Sequence, residues 1–163
     1  MNELSLQVLD HFRQMDIAFE HYTHAAIQSA ADRYTLDLAF NACVCKNLLV
    51  TTRTESRFFL VMLPVEKSAD LKALRDAFGT SRLCFASDET LYRLLGEQSG
   101  SVGVSGLLRD RQKRVEVILD VSLRQQQRIA MHPGDNTQTV VISFSDLQRW
   151  IQYWGNPLHF FDF

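Results

Sequence analysis

Three short stretches of this 163-residue chain carry residue types that could do chemistry. The first is Lys46-Asn47, a cation and an amide set in an apolar run between Ala42-Cys43-Val44-Cys45 and Leu48-Leu49-Val50. Adjacent residues of a half-buried strand point to opposite faces, so only one of the pair need face a cavity. A lysine there is suited to a phosphate or carboxylate. For the dipeptide alone, the plainer reading of an edge lysine that discourages aggregation is favoured. The second stretch runs from Gly96 to Gly106, with further glycines at Gly100 and Gly103 and serines between them. Glycine lets main-chain N–H groups approach a ligand closely and cup an anion or a developing oxyanion. The Walker pattern is absent, so this is no nucleotide P-loop, and a flexible connection explains it equally well. The third is His132-Pro133-Gly134-Asp135-Asn136-Thr137. Its imidazole, at a strand end beside a fixed turn, suits polarising a carbonyl or holding a water. A histidine that only caps the turn is a close competitor. No serine has a nucleophile-elbow context, and His11, His21, His24 and His159 show no partner pattern.

The elements that must position these residues are legible from periodicity. Leu4, Val8, Phe12 and Met15 recur at helical spacing over residues 3–16, which predicts an amphipathic helix. Ala18–Tyr22 alternates like a short strand, and Ala25–Tyr34 is alanine-rich and expected to be helical. Residues 40–52 and 57–63 read as a hairpin. A helix is expected over Ser68–Phe78, stopped by Gly79, then a strand over Leu83–Ala86 and a helix capped by Ser87 and running to Leu95. Strands about 105–109 and 114–120 flank the polar turn Asp110–Lys113. A helical turn over 121–127, strands over Arg128–Met131 and Asn136–Ser143, and a last helix starting at Ser145-Asp146 complete the chain. No linker or internal repeat interrupts it, so residues 1–163 are expected to form one domain of the α+β (mixed α/β) class, with a largely antiparallel or mixed sheet.

Composition narrows the function classes. With 46% apolar and 22% charged residues, the chain reads as ordinary globular protein. Its longest apolar runs are too short for a bilayer, and the start lacks a signal-peptide pattern, so a cytoplasmic protein is expected. The net charge of −2 argues against grasping a long DNA duplex. It leaves room for a protein that touches the end of an RNA through local cations such as Arg109, Arg111, Lys113 and Arg114, although a solvated hairpin tip is the better reading for most of these. Cys43, Cys45 and Cys84 lack zinc-site spacing and are expected to be buried or half-buried free thiols, with no metal bound.

Taken in order, five segments closely resemble the YbaK/prolyl-tRNA-editing domain family. They are Lys46-Asn47-Leu48-Leu49, Arg57-Phe58-Phe59-Leu60-Val61-Met62-Leu63-Pro64, Ser81-Arg82-Leu83-Cys84-Phe85-Ala86-Ser87, Gly100-Ser101-Val102 and His132-Pro133-x-x-Asn136-Thr137. The likeness covers about residues 20–153 and is greatest to the stand-alone members of the ProX type. It implies a mixed, partly barrel-like sheet surrounded by helices, no metal or other cofactor, and no covalent nucleophile from the protein.

The implied activity is hydrolysis of mischarged tRNA, with Ala-tRNA(Pro) first and Cys-tRNA(Pro) or another aminoacyl-tRNA as the alternative. By resemblance, Lys46 grips the terminal adenosine or its phosphate, and His132 positions the carbonyl or the water. The Gly100-Ser101-Val102 main chain holds the amino-acid group or the oxyanion. Asn47, Asn136 and Thr137 line the substrate pocket, and Arg82 touches the acceptor stem. The implied partners are the aminoacylated acceptor end of tRNA and, as a candidate, prolyl-tRNA synthetase, with no DNA and no membrane. One departure stands out: the family loop continues Gly-Ser-Val-x-Pro, whereas this chain reads Gly100-Ser101-Val102-Gly103-Val104, which loosens the loop. That departure is the best support for the rival expectation, a non-catalytic binder of an amino acid or adenosine-like ligand. A general amino-acid-ester or peptide hydrolase is a more remote alternative.

Overall fold

Local sequence rules account for most of the helix ends in the computed structural model, which describes residues 1–27 and 40–163. Helix α1 (Glu3–Gln14) is capped by Asn2, whose side chain accepts from the Ser5 N–H, and it buries Leu4, Val8, Leu9 and Phe12. Asp70 caps α2 (Leu71–Phe78), which ends on Gly79 in the left-handed conformation at φ 58°. Ser87 caps α3 (Asp88–Leu95), as its sequence predicts. The last helix, α4 (Phe144–Trp154), starts earlier than expected because Ser143, not Ser145, accepts the Asp146 N–H. Most of the helix expected over Ala25–Tyr34 lies outside the described residues, and residues 25–27 are not helical.

Eight strands form the sheet among the described residues: β1 (Glu20–Thr23), β2 (Cys43–Thr52), β3 (Phe58–Pro64), β4 (Leu83–Phe85), β5 (Val115–Asp120), β6 (Arg128–Met131), β7 (Gln138–Ser143) and β8 (Leu158–Phe161). Their order is β1-β7-β6-β2-β3-β5-β8, with β4 beside β2. The sheet is mixed, as expected: β2 and β3 form the antiparallel hairpin, while β2–β6, β3–β5 and β5–β8 run parallel. Strand β3 is buried along its whole length. Such residues serve two cores at once, each large side chain contributing roughly 1.5–3 kcal/mol. Leu60 and Met62 join α1 and α4 in the main core, and Phe59, Val61 and Leu63 pack with Leu74 of α2 on the opposite face.

Two elements depart from expectation. Residues 104–108 form a 3₁₀ turn (Val104–Leu108), not a strand. The Gly106 N–H closes onto the Gly103 carbonyl at 3.1 Å, and buried Trp150 donates its indole N–H to the Val104 carbonyl at 2.9 Å, so the backbone polar groups are satisfied by a turn and a tertiary donor. The short strand β8, unanticipated, pairs parallel to β5 from Val117↔Leu158 to Asp120↔Phe161. The thiols also differ in part: Cys45 is buried and Cys43 half-buried, but Cys84 is exposed.

Candidate active site

Strand β2 is where the sheet forks. One edge is zipped to β3 from Cys45↔Pro64 to Thr51↔Phe58. The other edge carries two short ladders at its two ends, β6 at Cys43↔Ile129 and Val44↔Ala130 and β4 at Val50↔Phe85 to Thr52↔Leu83. Between them, the edge around Lys46-Asn47 has no strand beside it among the described residues.

Alternation along β2 sorts the pair. Cys45 and Leu49 enter the main core, Val44 a small cluster with Phe40, Ala130 and Val141, and Leu48 and Val50 the α2 side. Asn47 therefore shares the main-core face and Lys46 the opposite one. His132 lies two residues beyond Ala130 just as Lys46 lies two residues beyond its ladder partner Val44. It lines a small hollow, with about 10 Å³ of room, together with Val44, Ala130, Thr139, Phe40 and Ile27. The two titratable side chains thus leave neighbouring parallel strands on one face. The Lys46 ammonium donates to the Val65 carbonyl at 3.1 Å. The His132 ring has Nδ1 2.8 Å from the Gln138 carbonyl oxygen. A carbonyl only accepts, so Nδ1 carries the proton of that bond.

The turn that carries His132 is buttressed from α1. Asn2 donates its side-chain amide to the Gly134 carbonyl at 2.6 Å and its main-chain N–H to Asp135 at 3.0 Å. Gly134 has φ +90°, and a Cβ there would sit 2.6 Å from Leu4 Cδ2, so glycine is required twice over. The Thr137 hydroxyl donates to Asp135 at 2.7 Å, which makes it part of the turn.

The glycine loop closes over the same strand ends. At Gly100 (φ +90°) a Cβ would meet Asn136 Nδ2 at 3.9 Å, and at Gly103 it would lie 3.5 Å from the His132 carbonyl oxygen and 3.8 Å from Asn47 Nδ2. Gly100, Asn136, Asn47 and the His132 main chain, scattered in sequence, therefore converge. Ser101 donates its hydroxyl to the Gln98 carbonyl at 3.0 Å, and Val102 packs on the main core. Asn47 Oδ1 is buried without a hydrogen-bond partner among the described residues. Arg82 is exposed at the entry to β4, outside this convergence. The basic run near residue 110 flanks a wide surface hollow in which Arg109, Arg111 and Lys113 lie with Tyr92, Tyr153 and Trp154.

Sequence reading missed Glu97 and Ser105. Both are buried, Glu97 at 2% exposure. Glu97 accepts from the Gly103 N–H at 2.9 Å, and Ser105 Oγ lies 2.8 Å from Glu97 Oε1 and 3.3 Å from the His132 carbonyl oxygen. Burial pushes the Glu97 carboxyl up to about 8, against the hydrogen bonds from Gly103, Ser105 and Gly106 that pull it down. A lone glutamate in a Gly/Ser segment gives no periodic sign that it is buried.

A mixed α/β sheet that forks at a small cleft, with a histidine turn and a glycine loop near its mouth, is an arrangement suited to a small ligand. The model of the aminoacyl-tRNA editing domain matches residues 24–150. The chain is 30% identical over 143 residues to the prolyl-tRNA editing protein ProX of Acetoanaerobium sticklandii, covering 88% of this chain and 87% of that protein. Its fold is similar to that of a solved protein assigned provisionally as a trans-editing enzyme for prolyl tRNA synthetase (TM-score 0.73, 14% identity, 97% of this chain and 96% of the other). It is also similar to that of a hypothetical protein (TM-score 0.74, 14% identity, 94% and 97%). This chain belongs to the aminoacyl-tRNA editing domain family. Membership makes it an aminoacyl-tRNA deacylase.

Proposed function

We propose that this chain hydrolyses mischarged tRNA in trans, with Ala-tRNA(Pro) as its substrate. One observation carries the reading: the small, largely apolar hollow that ends at His132, on the sheet face from which Lys46 also emerges. The room inside it is only about 10 Å³, enough for one methyl- or water-sized group. Exclusion by size separates alanine from proline better than attraction does, because one methylene of attractive binding is worth only ~1–3 kcal/mol.

In this reading the ester carbonyl lies between the glycine loop and the His132 turn. A water positioned by the His132 ring attacks the carbonyl carbon and passes its proton to the departing ribose oxygen. A bond forms from water oxygen to carbon and the carbon–ribose oxygen bond breaks. The ribose oxygen leaves with a proton, assisted by the vicinal hydroxyl. Main-chain N–H groups around Gly100–Val102 stabilise the developing oxyanion, and Lys46 neutralises the terminal phosphate. Asn136 orients the aminoacyl group, and Asn47 supports the loop where it meets Gly103. Arg82 contacts the acceptor stem, and prolyl-tRNA synthetase supplies the mischarged tRNA.

The test is a panel of aminoacylated tRNAs assayed for ester hydrolysis. Ala-tRNA(Pro) should be hydrolysed at least about tenfold faster than Cys-tRNA(Pro), Ser-tRNA or Thr-tRNA, and Pro-tRNA(Pro) left intact. Preference for cysteine would move the assignment to the cysteine-removing branch. Hydrolysis of none would make the chain a ligand-binding homologue.

A further inference from the structure

Glu97 lies under the glycine loop, outside the hollow. At Gly106 an added Cβ would press to 2.7 Å from Leu95 Cβ and 2.9 Å from Glu97 Cδ, so the loop rests directly on the carboxyl group. Ser105 has one hydroxyl proton and two acceptors in reach, Glu97 Oε1 at 2.8 Å and the His132 carbonyl oxygen at 3.3 Å. An ionised carboxylate is an acceptor only, and it would take that proton and leave the carbonyl without it. The neutral acid satisfies every atom: Oε1–H donates to Ser105 Oγ, Ser105 donates to the His132 carbonyl, and Oε2 accepts from Gly103.

We propose that Glu97 is a positioning residue of the site, working as the neutral acid at the head of a hydrogen-bond chain through Ser105 to the His132 carbonyl that fastens the substrate loop to the histidine turn. Together with the Trp150 bond to the Val104 carbonyl, the chain of bonds holds a loop that has no proline at this position. Ionisation of Glu97 reverses the Ser105 hydroxyl and unfastens the two. The carboxyl is held protonated through neutral pH by burial, which outweighs its bonds to Gly103, Ser105 and Gly106, with no neighbouring charge contributing. The nearest ionisable groups along this line are His132 itself and then His24, whose ring centroid is 6.2 Å from that of His132. Leu95 and Val104–Leu108 carry no ionisable side chain, and Arg109, which closes the 3₁₀ turn and lies 3.4 Å (Cγ) from a Cβ placed on Gly96, turns its head group to Glu3 at 3.6 Å. The device deepens the deacylase reading and rests on it only for the activity assay.

Carbon-13 NMR on the intact protein tests the hydrogen-bond chain without substrate. The Glu97 carboxyl should titrate near pH 8, and the His132 carbonyl resonance should shift with the same midpoint. That shift should vanish in Ser105→Ala and in Glu97→Gln, whose amide keeps the donor to Ser105 and cannot ionise. A Glu97 midpoint below about 6, or a His132 carbonyl that ignores it, overturns the proposal. For kcat/KM on Ala-tRNA(Pro), corrected for uncatalysed hydrolysis, wild type should fall about fivefold or more from pH 7 to pH 9 while Glu97→Gln stays level. Parallel profiles overturn the positioning role. If no aminoacyl-tRNA is hydrolysed, the substrate assignment fails and the resonance shifts alone decide the chain.

Discussion

Lys46 and His132 are separated by 85 intervening residues, yet each stands two positions past the Val44↔Ala130 pair. Replacing either with alanine removes a head group and leaves both ladders intact. Lys46→Ala and His132→Ala should each lower deacylation about 100-fold, roughly 2.7 kcal/mol of transition-state stabilisation, with circular dichroism unchanged and stability lowered by no more than about 1.5 kcal/mol for the lost bond to Val65 or Gln138. Wild-type rates in both would dismiss their assignment. Glu97 gives a second, thermodynamic expectation. Its folded-state pKa of about 8 lies above the ordinary 4.5, so between those values the unfolded chain releases a proton that the folded chain keeps. The stability this group contributes is full below about pH 4.5 and is lost as pH rises to about 8, a swing of order a few kcal/mol. Urea denaturation at pH 5, 7 and 9 should show wild type losing stability relative to Glu97→Gln, and equal slopes would refute this. Lys46, Asn47, His132 and Asn136 could be nominated from type and context. Glu97 and Ser105 could not, because their importance lies in burial and in contacts made across the chain.

Among the elements, the glycine of the histidine turn is the most exacting position. Gly134→Ala would force φ +90° on an L-residue and drive a Cβ to 2.6 Å from Leu4. It should cost about 2 kcal/mol or more and separate α1 from the turn, read as a lower Tm together with reduced activity; an unchanged Tm would count against the buttress. Helix starts were legible because Ser87 is a local capping signal, and the β2–β3 hairpin because two β-rich runs bracket a polar turn. The 3₁₀ turn at Val104–Leu108 was not. Its residues have strand-like composition, and the deciding partners, Trp150 and Glu97, come from elsewhere. The parallel pairing of β2 with β6 was equally hidden, since the pairing of strands so distant in sequence leaves no local mark. The departure at Val104 suggested a slack loop, whereas Val104 is fully buried and its carbonyl is held by Trp150.

For the molecule as a whole, charge is the relevant scale. A net charge of −2 gives no long-range pull on a polyanion, so tRNA discrimination must come from local contacts. Arg82 is exposed and stands apart from the converged residues. Arg82→Ala should therefore weaken discrimination between tRNA(Pro) and other tRNAs bearing alanine, with little change toward a small alanyl-adenosine ester. Equal losses on every tRNA and on the ester would refute a stem contact. The mixed sheet could be anticipated from several hairpins in one chain, but its fork at β2 required the full ladder. The chain has two tryptophans, and the buried one, Trp150, has its indole tied to the Val104 carbonyl in the 3₁₀ turn that follows the glycine loop. Its ultraviolet emission is therefore a built-in optical gauge of that segment: with Trp154 changed to phenylalanine, loosening of the turn reads out as a red shift, with no label attached.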